Sequence, residues 1–225
     1  SSTSRGLGDV YKRQSQYIVT NGDYVVCNVD YRLLGDQDNS VTLDQIVSDV
    51  FGAVLWAKEN IGQYQGDAKR FAVTGDSAGA HLSASVVNLG HLLSADGYAL
   101  GNLKFRPSYL SAGMSPEQVV LNRGLEVQAA VLSYGAFDIS SRGAGNFETW
   151  KNPFWYMGGA LPRGIFGDAY TLQTHPDLYQ GVSPIHNIPL SADRSLPPQL
   201  LTVGTEDPLT TPKSVSYTHL RAHET

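Results

Sequence analysis

The amino-acid sequence predicts an α/β fold, a three-layer sandwich in which helices cover a mostly parallel β-sheet. Runs rich in apolar and β-branched residues occur at 24–29, 71–74, 127–132 and 199–203. Such runs are typical of strands that are buried on both faces of a parallel sheet. Helical patterns lie between several of them, and strands that alternate with helices indicate crossover connections between parallel strands.

The N-terminal part of the chain supplies the first predicted strand. Residues 17–21 have the pattern of a last helical turn, which Asn21-Gly22 ends. The strand at 24–29 follows, and it contains Cys27, the single cysteine of the chain. We expect Cys27 to be a buried thiol, and a single cysteine excludes a disulfide bond within the chain.

The clearest helical period lies at 43–60, where apolar side chains recur every three to four residues. Thr42 or Ser40 would cap the start of this helix. A second helix is predicted from 78 to about 93, directly after the strand at 71–74.

Two long segments lack a clear period. Residues 94–125 are expected to leave the sheet, either as surface decoration or as a wall of the site, with a short helix that begins near Ser115-Pro116-Glu117. Residues 139–194 form either a cap over a pocket or a satellite cluster beneath long loops. Their aromatic residues are Phe147, Trp150, Phe154, Trp155, Tyr156, Phe166, Tyr170 and Tyr179.

Neither end of the chain shows helical or strand periodicity. Residues 1–14 and 214–225 resemble vector- or adaptor-derived peptides that cap incomplete genes, and ordinary flexible termini are the alternative interpretation. We therefore predict one partial domain at 15–213. Its native start would be missing, so the sequence does not indicate a localisation.

The composition of the chain disfavours several classes of binding partner. The formal net charge of −5 disfavours nucleic acid. No apolar run reaches the roughly 18 residues that a membrane-spanning helix needs. The sequence has no metal-ligand spacing and no glycine-rich nucleotide loop, so we expect no metal and no cofactor. The expected partner is a small molecule, and the oligomeric state is left open.

The segment Gly75-Asp76-Ser77-Ala78-Gly79 matches G-x-S-x-G, in which a serine occupies a sharp turn between a strand and a helix. Bulky side chains beside that turn would collide with neighbouring backbone, and glycine avoids the collision. The serine hydroxyl would stand above the sheet, beside the positive end of a helix dipole. The motif therefore predicts Ser77 as a nucleophile.

Asp207 occupies an equivalent position at another strand. It follows the run at 199–203, as Ser77 follows the run at 71–74. Ligand sites in open parallel sheets lie at the carboxyl ends of the strands. We therefore expect Ser77 and Asp207 to act together.

With these features the chain resembles the α/β-hydrolase superfamily, and more narrowly the acetyl-esterase and hormone-sensitive-lipase-like carboxylesterases. Three pieces carry the resemblance in order: Val29-Asp30-Tyr31-Arg32-Leu33, Gly75 to Gly79, and Gly204 to Leu209 with its Asp-Pro-Leu. The resemblance covers about residues 17–210. It implies an incomplete α/β-hydrolase fold.

The resemblance also implies roles for the site residues. Ser77 would accept the acyl group, and Asp207, rather than Glu206, would orient a catalytic histidine. The Ala78 N–H would supply one donor of the oxyanion hole. Structural roles are implied for the other residues of the elbow: Gly75, Asp76, Gly79 and His81.

Two parts of the family pattern are missing. No His-Gly-Gly-Gly-type loop precedes Ser77. The order Ser, Asp, His leaves only His219 and His223, which follow Asp207 too closely for a crossover and a further strand. The remaining histidines outside the elbow precede Asp207: His91, His175 and His186, the last interpreted as loop packing. We therefore predict that this chain lacks the catalytic histidine and is nearly inactive.

The predicted function of the parent protein is the hydrolysis of short acyl esters, acetylated or feruloylated sugars among them, through an acyl-enzyme at Ser77. Two alternatives stay open. One is an amidase or formamidase on the same fold, and the other is a non-catalytic homologue that binds a ligand.

Overall fold

The computed structural model of the chain describes residues 2–144, 146–153, 155, 160–190 and 192–207. Some sequence-based predictions lie outside the described residues. They concern Phe154, Tyr156, Pro208-Leu209, His219, His223 and the tail at 214–225.

Three described strands form one parallel sheet in the order β1-β2-β3. The register places Thr74 opposite Val131, and Val131 opposite Leu200. The carboxyl ends of all three strands therefore lie at the same edge of the sheet. The strands are β1 (Ala72–Asp76), β2 (Ala129–Ser133) and β3 (Gln199–Thr202).

The described helices precede and connect these strands. The connections between the parallel strands cross over, as the alternating pattern predicts. The helices are α1 (Ser2–Asn21), α2 (Leu43–Asn60), α3 (Ala78–Leu89), α4 (Pro116–Leu121), α5 (Ile139–Ala144) and α6 (Pro176–Gly181), with a single turn at Asp36–Asn39 and 3₁₀ turns at Ile61–Tyr64 and Pro184–Asn187.

Two helices begin where the sequence predicts, and the cap predicted at Thr42 is present. Thr42 is the N-cap of α2, and its N–H donates to Gln45 Oε1. Ser115 is the N-cap of α4, where its hydroxyl accepts from the Gln118 N–H and its own N–H donates to Gln118 Oε1. Reciprocal bonds of this kind satisfy backbone donors that the first helical turn leaves free.

The two faces of the sheet differ in burial. Val73, Ala130 and Leu132 are buried on the face that packs against α3. On the opposite face Val131 is 40% exposed and Leu200 is 58% exposed. The described residues therefore bury one face of the sheet, whereas the prediction placed helices on both.

The segment at 24–29 does not form the predicted strand. It has no ladder partner among the described strands, and Tyr24, Val25 and Val29 are exposed. Cys27 is also exposed, which contradicts the expected buried thiol. An apolar run becomes a strand only when a neighbouring strand pairs with its backbone. The outer edges of β1 and β3 are unpaired among the described strands, but the segment at 24–29 lies in a ladder with neither.

Helix α1 also differs from its prediction. The turn expected at 17–21 is the end of a helix that extends back to Ser2, although residues 1–14 have no helical period. Of its apolar side chains, Tyr17 is 70% exposed and Val19 is 50% exposed. The described side chains of α1, at 11–21, therefore bury little apolar surface.

The aromatic-rich segment at 139–194 is joined to the main core. Its buried residues Trp155, Phe166 and Tyr179 belong to the same hydrophobic cluster as the β1 and β2 side chains. Within the segment, Glu148 Oε1 accepts hydrogen bonds from the Ile165 N–H and the Tyr179 hydroxyl, each at 2.7 Å. These contacts hold the middle of the segment against the body of the fold.

Candidate active site

Ser77 lies at the turn between β1 and α3, as the elbow motif predicts. Its backbone has φ 51° and ψ −115°, a conformation that side-chain-bearing residues rarely adopt. Its N–H donates to the Ser133 carbonyl at 2.9 Å, which continues the β1–β2 ladder past the strand end. Ser77 is exposed, so its hydroxyl is accessible at the carboxyl edge of the sheet.

The two glycines of the elbow have different surroundings. A Cβ at Gly75 would lie 2.4 Å from the carbonyl carbon and oxygen of Gly79, well inside van der Waals contact. A Cβ at Gly79 would meet nothing within 4 Å. The close approach of helix to strand therefore requires glycine at position 75, but not at position 79.

Asp76 fixes the next strand end to the elbow. The Tyr134 hydroxyl donates to Asp76 Oδ2 at 2.7 Å, and the Tyr11 hydroxyl approaches the same oxygen at 3.4 Å. The hydrogen bond to Asp76, with burial and the charges of Asp76 and Asp207, raises the pKa of Tyr134 to about 12. Tyr134 therefore stays protonated and holds the carboxylate.

Asp207 reaches the same edge from β3. The Tyr134 N–H donates to the Thr202 carbonyl at 2.6 Å, so β2 and β3 stay paired just before Asp207. The Asp207 N–H donates to Gly204 O at 3.2 Å and closes a turn. The charge of Asp207 contributes to the raised pKa of Tyr134 and opposes the burial that lowers the pKa of Arg142. Asp207 thus shares one electrostatic neighbourhood with the elbow.

Ala78 is the first residue of α3 and is exposed beside Ser77. The N–H groups of a first helical turn have no acceptor within the helix, and they lie at the positive end of its dipole. An oxygen that develops negative charge near Ser77 could therefore accept a hydrogen bond there.

His81 is a buried structural residue one turn beyond Ser77. Its side chain is 3% exposed, and Nδ1 donates to the Ala136 carbonyl at 2.9 Å. Burial lowers the pKa of His81 to about 4, although the bond to Ala136 opposes the shift. His81 is therefore neutral at pH 7, and its contact ties α3 to the segment after β2.

The other described histidines make contacts away from Ser77. His186 Nε2 lies 3.3 Å from Asp138 Oδ1, and His175 Nδ1 lies 2.8 Å from Thr174 Oγ1. His91 lies just past the far end of α3. None of these contacts involves the candidate nucleophile.

Sequence reasoning missed Tyr134 and Arg142 as members of this edge. Tyr134 has φ 43°, which follows from the tight turn after β2 and leaves no mark in composition or period. A signal was nonetheless available, because Tyr134 directly follows the predicted strand at 127–132, just as Ser77 and Asp207 follow theirs.

Metal and membrane features are not found in the described part of the chain. No group of three or more histidine, cysteine, aspartate or glutamate side chains there is arranged to hold a metal ion. Likewise, none of the described helices combines the length and apolar character that crossing a bilayer requires.

Comparison with known proteins gives a family match over most of the chain. The family model described as BD-FAE matches residues 5–219. Esterase LipQ of Mycobacterium tuberculosis is 31% identical over 163 residues, which are 72% of this chain and 30% of that protein. Esterase LipC of the same organism is 27% identical over 82% of this chain and 36% of its own length. The chain thus spans about a third of these relatives.

Solved esterase structures share the fold. The esterase Est2 of Thermogutta terrifontis superimposes with a TM-score of 0.59 and 19% identity, over 95% of this chain and 60% of its own. A truncated form of a carbohydrate esterase from gut microbiota gives a TM-score of 0.56 and 18% identity, over 86% and 59%. At such identities the likeness shows a common fold, which confirms the predicted α/β-hydrolase architecture.

Proposed function

The chain belongs to the BD-FAE family, and on that premise we propose that Ser77 is the acyl-accepting nucleophile of a carboxylesterase. The observation that carries the proposal is the backbone of Ser77, whose φ of 51° presents an exposed hydroxyl between β1 and α3. Strained conformations of this kind persist at sites where function needs a side chain held in one place.

The proposed reaction has two halves. A base takes the Ser77 proton as the oxygen attacks the ester carbonyl, and the Ala78 N–H donates to the oxyanion that forms. The alcohol then leaves with a proton, and an acyl-enzyme remains on Ser77. Water attacks this ester, which releases the acid and restores the serine hydroxyl. Asp207 would orient the imidazole that moves the protons.

We infer that this imidazole is absent from the chain. His81 is buried, with Nδ1 bonded to the Ala136 carbonyl and Nε2 enclosed without a hydrogen-bond partner among the described residues. The contacts of His175 and His186 are with Thr174 and Asp138. His219 and His223 follow Asp207 too closely for the crossover and strand that would return the chain to the site. The proposal is therefore that the chain carries the nucleophile and the acid without their base.

Chemical rescue tests the proposal. We expect slow hydrolysis of p-nitrophenyl acetate by the chain, a several-fold increase when imidazole is added, and an acetyl group on Ser77 by mass spectrometry. Once the hydrolysis that imidazole catalyses without protein is subtracted, Ser77→Ala should abolish both the increase and the adduct, whereas Ser111→Ala, a half-buried control, should keep them. Rapid turnover without imidazole that Ser77→Ala abolishes would contradict the missing base. An adduct that persists in Ser77→Ala would contradict the nucleophile.

A substrate panel distinguishes the remaining alternatives. p-Nitrophenyl esters, acetylated sugars, aryl-formamides and peptide anilides can be compared under the same rescue conditions. The similar proteins named above are esterases, one of them a carbohydrate esterase, so we expect the esters to be the best substrates. Binding of an ester without any acyl transfer would favour the non-catalytic homologue.

A further inference from the structure

We propose that a cavity at the far end of α3 binds a small aliphatic carboxylate. The cavity has a volume of about 320 Å³ and is lined by Gly90 and His91, which follow the last residue of α3. Because α3 begins beside Ser77 and is 12 residues long, roughly 18 Å separate the cavity from the elbow. The cavity is therefore a second site, distinct from the proposed active site.

Arg194 supplies the first observation. Its side chain is 16% exposed, and its buried Nε has no hydrogen-bond partner among the described atoms. The nearest carboxylate oxygen, Glu126 Oε1, is 4.0 Å away, beyond hydrogen-bond distance. Burying a guanidinium N–H without a hydrogen bond is unfavourable in free energy. An anion that accepts a hydrogen bond from this N–H would remove the penalty.

His91 supplies an independent observation. Its Nδ1 is buried and also lacks a hydrogen-bond partner among the described atoms. Burial, and then the charge of Arg194, lower the pKa of His91, so the ring is neutral at pH 7. A neutral imidazole offers one N–H, which can donate to an oxygen that Arg194 also binds.

The charges around the cavity do not already neutralise Arg194. Glu126 Oε1 lies 3.7 Å from Arg123 Nη1, so one carboxylate is divided between two guanidinium groups. The Lys58 ammonium is close by, since Nζ donates to the main-chain oxygen of Glu126. Asp193 adds a second carboxylate to the lining. The lining itself therefore holds two cations, Arg123 and Arg194, and two carboxylates, and Lys58 lies outside it and adds a third positive charge behind Glu126. This small positive excess favours a monoanion over a dianion.

The apolar residues of the lining favour a ligand that has an aliphatic part. Val120, Leu125 and Pro189 also line the cavity. A ligand that gains from both parts of the lining has one carboxylate and a short aliphatic chain. We therefore expect butyrate to bind more tightly than acetate, because its two additional methylene groups are transferred from water to contacts with these apolar side chains.

The experiment uses the Ser77→Ala chain, so that ester chemistry cannot contribute. Butyrate, acetate, inorganic phosphate and butylammonium are titrated while the imidazole signals of His91 are followed by NMR, which locates the binding. We expect saturable shifts of His91 with butyrate, weaker binding of acetate and phosphate, and none of butylammonium. Arg194→Gln should weaken butyrate roughly tenfold, as loss of one charge-assisted contact does.

Two variants provide the controls. Arg70→Gln removes an arginine that is 81% exposed and not part of the cavity lining, and it should leave butyrate binding unchanged. Val120→Phe fills the cavity without changing charge, and it should weaken butyrate more than acetate. The proposal is overturned if butyrate does not shift the His91 signals, if Arg194→Gln and Arg70→Gln behave alike, or if butylammonium binds as well as butyrate. If Arg194→Gln does not fold, the butyrate affinity of Val120→Phe decides.

Discussion

Two residues at the carboxyl edge of the sheet have left-handed backbone conformations although neither is glycine. Ser77 has φ 51° and Tyr134 has φ 43°. The Tyr134 hydroxyl bonds to Asp76, and the Ser77 N–H bonds to Ser133, so each strained residue is held by the neighbour of the other. The strain at the two strand ends is therefore one feature, stabilised by reciprocal hydrogen bonds.

His81 makes stability depend on pH. Its pKa is about 4 in the folded chain against an ordinary value of 6.5, so the unfolded chain binds a proton that the folded chain excludes between these values. The contribution of His81 is complete above pH 6.5 and is lost as the pH falls toward 4, up to about 3 kcal/mol. Urea unfolding of the chain and of His81→Gln between pH 8 and pH 4.5 measures it.

We expect the two unfolding free energies to differ by a constant amount above pH 7 and to converge below pH 6. Glutamine keeps a donor for the Ala136 carbonyl but has no titrating group, so the convergence isolates protonation from the loss of packing. Parallel curves throughout this range would show that His81 is not buried in its neutral form.

The two glycines of the elbow differ in how much space a side chain would have. Gly75→Ala should lower the free energy of unfolding by about 1–3 kcal/mol, because its Cβ would overlap the Gly79 carbonyl group and push α3 away from β1. Gly79→Ala should raise it by about 0.5–1 kcal/mol, because alanine favours the first turn of α3 and its Cβ meets nothing. Urea unfolding of both variants measures the pair, and equal losses in the two would contradict the geometry.

Elements whose signals are local are the ones that the sequence predicts well. Helix α2 runs from Leu43 to Asn60 as its apolar stripe indicates, and its cap at Thr42 needs only the residues beside it. The run at 24–29 has a local signal of similar strength, yet it pairs with none of the described strands. Pairing depends on residues distant in sequence, and no single run contains that information.

In the candidate site, too, some residues have a local sequence signal and others depend on residues distant in sequence. Ser77 and Asp207 are predictable because each follows an apolar strand within a short motif. The bond from Tyr134 to Asp76 joins residues 58 positions apart, and it depends on which strands are neighbours. The residues that we propose to carry the chemistry can thus be located from the sequence, whereas those that position them require the sheet order.

In the molecule as a whole, hydrogen bonds join segments that are distant in sequence. Asn39 and Leu161 exchange two hydrogen bonds of 3.1 Å, and the Leu43 N–H donates to Ile165 O at 3.1 Å. The start of α2 is therefore attached to the segment at 160–165. Because α2 packs on α3, this attachment links the aromatic-rich segment to the helix that follows Ser77.

Arg163 is the centre of that attachment, which leads to the last prediction. Its guanidinium donates to the carbonyl oxygens of Leu34, Asn39 and Val41. Arg163→Ala leaves these partly buried acceptors unpaired, and it should lower the free energy of unfolding by about 2–4 kcal/mol. Arg163→Lys should recover only part of the loss, because an ammonium cannot match the planar fork of a guanidinium.

Hydrogen exchange places the effect in the structure. In Arg163→Ala the Leu43 and Leu161 amides, whose acceptors lie across the attachment, should exchange faster relative to the β1 amides. Arg70→Ala removes an exposed arginine whose ion pair among the described residues is with Asp67. It is the matched control and should change stability by less than about 0.5 kcal/mol. Equal effects of the two alanine variants would show that apolar contacts alone hold the segment at 160–165. The Arg163 guanidinium would then not be needed to attach this segment to the start of α2.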